Sequence, residues 1–250
     1  MMDLRADRVS MRWPLFSMRK RSSGQESFYS QSGVYLRVLP SDKGEPTVWD
    51  RDVVIYLASL LHVDPGLGPE MTVSVPELLG TASRGTGAQA YRGLCNALFR
   101  LRHSRLHTNI ATPGGVMAEV RWLDHYSIGG SAPCAGDPRP GDIAVTLSDW
   151  GYACLSGDGE LAAISPRYFR LTGGLERRLY ELALDKCRDG PAWTVSLRAL
   201  AKETGSNQGN LRRFKFDLKT IARQQRLPDL RMSLLDNPKG EDSVRFVRLA

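Results

Sequence analysis

The residues with the clearest chemistry lie between Arg198 and Met232. There nine lysines and arginines stand against only Glu203, Asp217 and Asp229, a net of +6, while the whole 250-residue chain carries +7. Cationic groups concentrated in one segment suit a polyanionic partner, and arginine can in addition read a guanine edge. At the roughly 100° per residue of a helix, Arg212, Arg213, Phe216, Lys219, Thr220 and Arg223 share one face. Leu211, Phe214, Leu218 and Ile221 share the other and should pack inward. Phe216 suits either a thymine methyl group or a protein surface. A charge run is ordinarily a solvated helix face; its place between a turn and a hairpin argues for nucleic acid.

Groups for covalent or metal chemistry are missing where they would matter. Gly85-Thr86-Gly87 is not followed by the lysine of a phosphate loop, and no other segment has that spacing. His62, His103, His107 and His125 form no HxH pair; His103 and His107 could share a helix face but have no third ligand nearby. Cys95, Cys134, Cys154 and Cys187 form no CxxC pair, so neither a zinc site nor a redox motif is encoded. A non-enzymatic protein without cofactor or metal is expected, in a reducing, cytoplasmic compartment. No apolar run reaches membrane-spanning length, and no signal peptide pattern opens the chain.

The elements that must present the basic face are legible around it. Ser196 is placed to cap a short helix that Gly205-Ser206 breaks, and a long helix follows from about Asn207 to Gln225. Two apolar-polar strands, Leu230 to Leu235 and Val244 to Leu249, flank a turn at Asn237-Pro238-Lys239-Gly240. That order is a helix-turn-helix with a wing, and it puts Ser206, Asn207 and Gln208 at the leading end of the recognition helix.

A weaker copy lies upstream. Ser74-Val75-Pro76-Glu77 reads as a capping box, Gly80 to Gly87 as a turn carrying Arg84, and Ala88 to Arg102 as a second helix. Its inward face is Tyr91, Leu94, Cys95, Leu98 and Leu101; outward lie Gln89, Arg92, Asn96 and Arg100, side chains that read adenine and guanine edges. Leu106 to Ile110, the Pro113-Gly114-Gly115 turn and Val116 to Leu123 read as its wing. A helix precedes each copy: one capped by Asp50 with Val53, Val54, Leu57, Leu60 and Leu61 on one face, the other at Glu176 to Ala183. In the latter, Arg177 and Arg178 read as structural partners of nearby glutamates. The expected fold is α+β, mainly α, with two tandem winged-helix domains at 33–164 and 165–250. Residues 1–32 read as a basic arm carrying the apolar anchor Trp13-Pro14-Leu15-Phe16. Ser131 to Pro140 reads as an exposed loop, Ile143 to Leu147 as a further strand, and Leu161 to Tyr168 as the inter-domain connection.

Several segments resemble the replication initiator protein A family of bacterial plasmids. They are Trp13-Pro14-Leu15-Phe16-Ser17, Pro46 to Tyr56, the Gln89-Ala90-Tyr91 helix, Glu176 to Ala183, and Gly205-Ser206-Asn207, together spanning about Trp13 to Pro228. The resemblance implies a protein that binds repeated double-stranded DNA sites at an origin, helps open the duplex and recruits host replication proteins. The residues by themselves point to a DNA binder with two reading heads. A transcriptional repressor of the same fold, or a protein in which one winged helix mainly supports a homodimer, remains open; a nicking enzyme is disfavoured by the missing HxH pair.

Overall fold

The structure, a computed structural model, describes residues 2–128, 141–156, 160–206, 210–238 and 240–249. The chain opens with strand β1 (Arg5–Asp7) and helix α1 (Arg8–Arg12), followed by strands β2 (Ser27–Gln31) and β3 (Val34–Leu39). Helix α2 (Arg51–Val63), strand β4 (Glu70–Ser74) and helices α3 (Val75–Thr81) and α4 (Ala88–His103) come next. Short strands β5 (Arg105–Thr108), β6 (Ala111–Thr112), β7 (Gly115–Val116) and β8 (Glu119–Val120) precede β9 (Leu123–Ile128) and β10 (Asp142–Leu147). Helix α5 (Asp149–Leu155), strand β11 (Leu161–Ala163) and a 3-10 turn at Pro166–Arg170 lead onward. The last stretch holds α6 (Gly174–Lys186), β12 (Ala192–Ser196), α7 (Leu197–Glu203), α8 (Leu211–Gln224), β13 (Leu230–Leu235) and β14 (Ser243–Arg248).

Two units repeat one plan. In the first, α2, β4, α3, α4, β9 and β10 follow in order, and the sheet runs β4-β10-β9. In the second, α6, β12, α7, α8, β13 and β14 do the same, and the sheet runs β12-β14-β13. All pairings are antiparallel, and each sheet buries alternate residues, Val73, Ile143 and Val145 in one and Val244, Phe246 and Met232 in the other. The first unit carries an additional sheet, β2-β3-β5-β8. This corrects the expected wing of the first copy. Leu106 to Ile110 and Val116 to Leu123 do pair, Leu106 with Val120 and His107 with Glu119, but within this additional sheet, where β5 also pairs with β3. The hairpin at the wing's place in the repeated order is β9–β10. The stretch 143–147, expected as an extra strand, is the middle strand of that unit's sheet.

The N-terminal residues are not an arm. Strand β1 pairs with β11 inside the stretch expected as a plain connection, and Leu4, Ala6 and Met11 are buried in the second unit's core. Leu15 and Phe16 are buried in the first, with Phe16 stacked 5.5 Å from Trp122, as expected for an apolar anchor. Helix α2 lies between the two cores: Val53, Val54, Tyr56 and Leu57 belong to one and Ile55 to the other. A helix buried on nearly all sides needs apolar residues all round, which is what Val53 to Leu57 supply.

Local chemistry explains the helix ends, with two departures from expectation. Ser196 caps α7 by accepting from Ala199 N–H at 3.3 Å, and Gly205, at φ +74°, ends that helix in the left-handed region. Ser74 makes no side-chain cap bond, and Glu77 instead accepts from the Tyr56 hydroxyl at 3.4 Å. Asp50 does not cap α2 either; its carboxylate accepts from Thr47 N–H at 2.8 Å and faces Arg100. The basic helix α8 begins at Leu211, later than expected, and Asn210 caps it by accepting from Arg213 N–H at 2.9 Å. Asn207 and Gln208, like Cys134, Lys239 and the 131–140 loop, lie outside the described residues.

Candidate nucleic-acid interface

Helix α8 is seated by Phe214, Leu218 and Ile221, all buried, so its opposite face is fixed outward. Burying such side chains contributes about 1.5–3 kcal/mol each, enough to hold a helix whose remaining surface is charged. Arg212, Arg213, Lys219 and Arg223 are exposed, and Phe216 among them is 61% exposed. The Arg213 guanidinium sits 5.4 Å from the Phe216 ring and 3.1 Å from Asp217. Ser206 is half-buried and shares a 2.9 Å hydrogen bond with Thr204.

Part of the +6 is spent internally. Lys215 pairs with Asp242 at 2.6 Å and Asp236 at 2.8 Å, which ties the β13–β14 hairpin onto α8. Hydrogen bonds to those carboxylates hold the Lys215 ammonium above the ordinary lysine value. Among the described residues of the hairpin, Arg231 and Arg245 are strand cations exposed on the face opposite Met232 and Phe246. These two went unassigned from the sequence, although the alternation in Leu230–Leu235 and Ser243–Arg248 places them outward.

In the first unit Tyr91, Leu94, Cys95, Leu98 and Leu101 are all buried, as the periodicity of α4 requires. Gln89 and Arg92 are exposed, and Asn96 is half-buried, accepting from Lys43 Nζ at 2.8 Å. Two expected contacts turn out otherwise. Arg100 donates twice to Asp50, at 2.7 and 2.6 Å, and its side chain is only 15% exposed. Arg84 donates to Asp52 at 2.7 Å and to the Trp49 carbonyl at 2.7 Å. Both guanidiniums are held by aspartates of the Trp49-Asp50-Arg51-Asp52 segment, so they position elements rather than project to a ligand.

Asp52 is also where the units meet. Arg177 of α6 reaches its other oxygen at 2.5 Å, with both side chains almost wholly buried. Arg177 further donates to the carbonyls of Leu171 and Val48 and lies 4.1 Å from the Trp49 ring. Burial pushes the Asp52 carboxyl above the ordinary aspartate value, and the two guanidiniums oppose that shift. Arg178 donates to the carbonyls of Ser10, Met11, Arg12 and Glu203, locking α1 and α7 onto α6; burial pulls its guanidinium down to about 10. Arg51 pairs with Glu181 across the same junction. The structural role expected for Arg177 and Arg178 holds, with backbone carbonyls and Asp52 as partners instead of helical glutamates.

Among the described residues no group of His, Cys, Asp or Glu is placed to hold a metal ion. His103 ends α4 whereas His107 lies in β5 beside Glu119 at 2.8 Å, so the two do not share a helix face. Cys154 and Cys187 are free and buried, but Cys95 is disulfide-bonded, which departs from the expected reduced thiols. No helix of the described residues is long and apolar enough to cross a membrane.

Fold and site together define a two-unit α+β protein whose repeated helix pair presents polar and basic side chains outward. The chain belongs to the Replication initiator protein A family, whose match runs over residues 5–232. A relative from Wigglesworthia glossinidia brevipalpis, named "Putative replication protein", is 26% identical over 228 residues, 88% of this chain and 81% of that one. In fold the chain is similar to a crystal structure of RctB domains 2-3, with a TM-score of 0.64, 15% identity and 97% of each chain covered. A selenomethionine form of RctB domains 2 and 3 matches likewise, with a TM-score of 0.63, 16% identity and 94% of each chain covered.

Proposed function

We propose that this protein is a non-enzymatic plasmid replication initiator that binds repeated double-stranded DNA sites at an origin through two winged helices in tandem. The observation that carries the reading is the repetition: both units share one element order and one sheet order, and in each the second helix of the tight pair turns a polar face outward. Helices α4 and α8 would each enter a major groove, α8 with Arg212, Lys219 and Arg223 and α4 with Gln89, Arg92 and Asn96. Strand arginines 231 and 245 would add phosphate contacts, and affinity would fall steeply with salt. The site of action is the cytoplasm, where host replication proteins would be recruited to the opened origin, with no cofactor. One observation favours a second reading, in which α8 contacts protein: the exposed Phe216 ring in the middle of its face.

Footprinting of the full chain on the DNA flanking its gene tests the proposal. Protected direct repeats, each spanning successive major grooves about 10 base pairs apart, support it. A single protected operator at the promoter would make the protein a repressor, and no protection at low salt refutes DNA binding. If Phe216→Ala leaves the footprint intact and abolishes self-association, α8 belongs to a protein interface.

A further inference from the structure

The triplet Arg19-Lys20-Arg21 is held at both ends. Before it, Ser17 N–H donates to the Pro46 carbonyl at 2.8 Å and Val48 N–H donates to the Ser17 carbonyl at 2.9 Å. After it, the Ser22 hydroxyl donates to the Glu45 carbonyl at 2.6 Å and Ser23 N–H donates to the Glu45 carboxylate at 2.6 Å. Glu45 is 4% exposed; burial opposes its ionisation, but backbone and serine donors outweigh this and hold its carboxyl below the ordinary glutamate value. Gly44 has φ +87°, and a Cβ there would stand 2.1 Å from the Ser22 oxygen, so glycine is what lets the loop seat. Two anchors thus turn a basic stretch into a fixed loop on the first unit.

What the loop faces is open and cationic. Lys20, Arg21 and Lys43 line a cleft of about 660 Å³ that runs along α4 at Gly93. Its other charges are cancelled within the protein, Asp50 by Arg100 and Arg84 by Asp52. Among the described residues Lys20 and Arg21 make no ion pair or side-chain hydrogen bond, and Lys43 has only the neutral Asn96 amide and the Phe99 ring. Gly93 occupies the outward stripe of α4, four residues after Gln89 and three before Asn96. A Cβ at Gly93 would meet nothing within 4 Å, so no packing inside the protein demands a glycine that weakens the helix. An open groove walled by three uncompensated cations and floored by bare helix backbone suits a strand of linked phosphates.

We propose that Lys20, Arg21 and Lys43 form a phosphate-backbone clamp of the first unit, which holds duplex DNA close against α4 at Gly93. The inference rests on the DNA-binding reading above. It accounts for how a helix carrying so little free charge of its own could be held in a groove: the N-terminal loop supplies the cations.

The test compares the full-length protein with a K20A/R21A/K43A triple variant on duplex origin DNA over a series of salt concentrations. The plot of log affinity against log salt should lose about three units of slope, near 0.9 for each released phosphate contact. Gly93→Leu should weaken binding at least tenfold at an unchanged melting temperature. A triple variant with wild-type slope overturns the clamp, while an α8 triple variant that loses affinity in the same assay keeps the DNA-binding reading intact. Failure of the wild-type protein to bind duplex DNA sinks both. Should Gly93→Leu also lower the melting temperature, the slope of the triple variant alone decides.

Discussion

Replacing Arg177 with methionine should damage the joint between the units more than any surface change can. The guanidinium is 1% exposed and Asp52 2%, so the ion pair at 2.5 Å is shielded from water on all sides. Truncating one member of such a pair leaves a buried charge and typically costs about 3–5 kcal/mol. Here Arg84 keeps its contact with the second Asp52 oxygen at 2.7 Å, which favours the lower end. Against that, the carbonyls of Leu171 and Val48 lose a donor at 3.0 and 3.2 Å. We expect about 3–4 kcal/mol, or a melting temperature lowered by roughly 6–16 °C for a chain of this size. Urea unfolding followed by tryptophan fluorescence and far-ultraviolet dichroism measures it. In a double-mutant cycle, Asp52→Asn should recover at least about 1 kcal/mol of the Arg177→Met loss, because the orphaned charge is gone. A single-variant loss below about 1 kcal/mol, or strict additivity in the cycle, would refute the claim that this pair joins the units.

Other outcomes follow from the same geometry. Arg212→Ala or Lys219→Ala should each weaken DNA binding by about 1–3 kcal/mol if a base is read, or lower the salt slope by about one if only a phosphate is touched; unchanged values for both, in filter binding, remove α8 from the interface. Gly174→Ala places a Cβ 2.0 Å from the Met18 carbonyl oxygen, a backbone atom that cannot swing away, and should cost at least about 1–3 kcal/mol in urea melts. Burial pushes the Cys154 and Cys187 thiols up, so alkylation of the native protein at pH 8, mapped by mass spectrometry, should spare both until urea is added. The Glu45 carboxyl lies below its unfolded value of 4.5, so the stability it contributes is complete above that pH and lost as pH falls through the folded value; Glu45→Gln should flatten the acid limb of a stability profile.

How much of this could be read from the residues depended on the range of the interaction. The faces of α4 and α8 were legible because each is written within one helix at 3.6-residue spacing, and Phe214, Leu218 and Ile221 pack as that spacing demands. The first unit's hairpin was not, because β5 to β8 intervene between α4 and β9 and offer strand patterns that satisfy a local reading. β5 and β8 pair with each other, and what draws them into a separate sheet is β3, which pairs with β5 from some seventy residues upstream by the Leu36–Thr108 register. Leu4, Ala6 and Met11 make sense only against the second unit's core, a partner that no local period reveals. Arg84 and Arg100 looked available because Asp50 and Asp52 lie 50 and 32 residues away from them. One signal was present: two aspartates flanking an arginine at the start of an otherwise apolar helix must find cations once buried.

The junction has a mechanical consequence. Asp52 accepts at one oxygen from Arg84, in the turn that leads into α4, and at the other from Arg177, in the helix that opens the second unit. Arg178 meanwhile fastens α1 and the end of α7 to that same helix. The turn ahead of one outward-facing helix and the frame of the other therefore share a buried carboxylate. Buried ionic contacts tolerate little displacement, since separation leaves unpaired charge in a medium that solvates it poorly. The spacing between α4 and α8 is thus set by the protein before any partner is met. A ligand that engages both helices need supply no ordering of one unit against the other, and one with the wrong spacing can be accommodated only by bending itself.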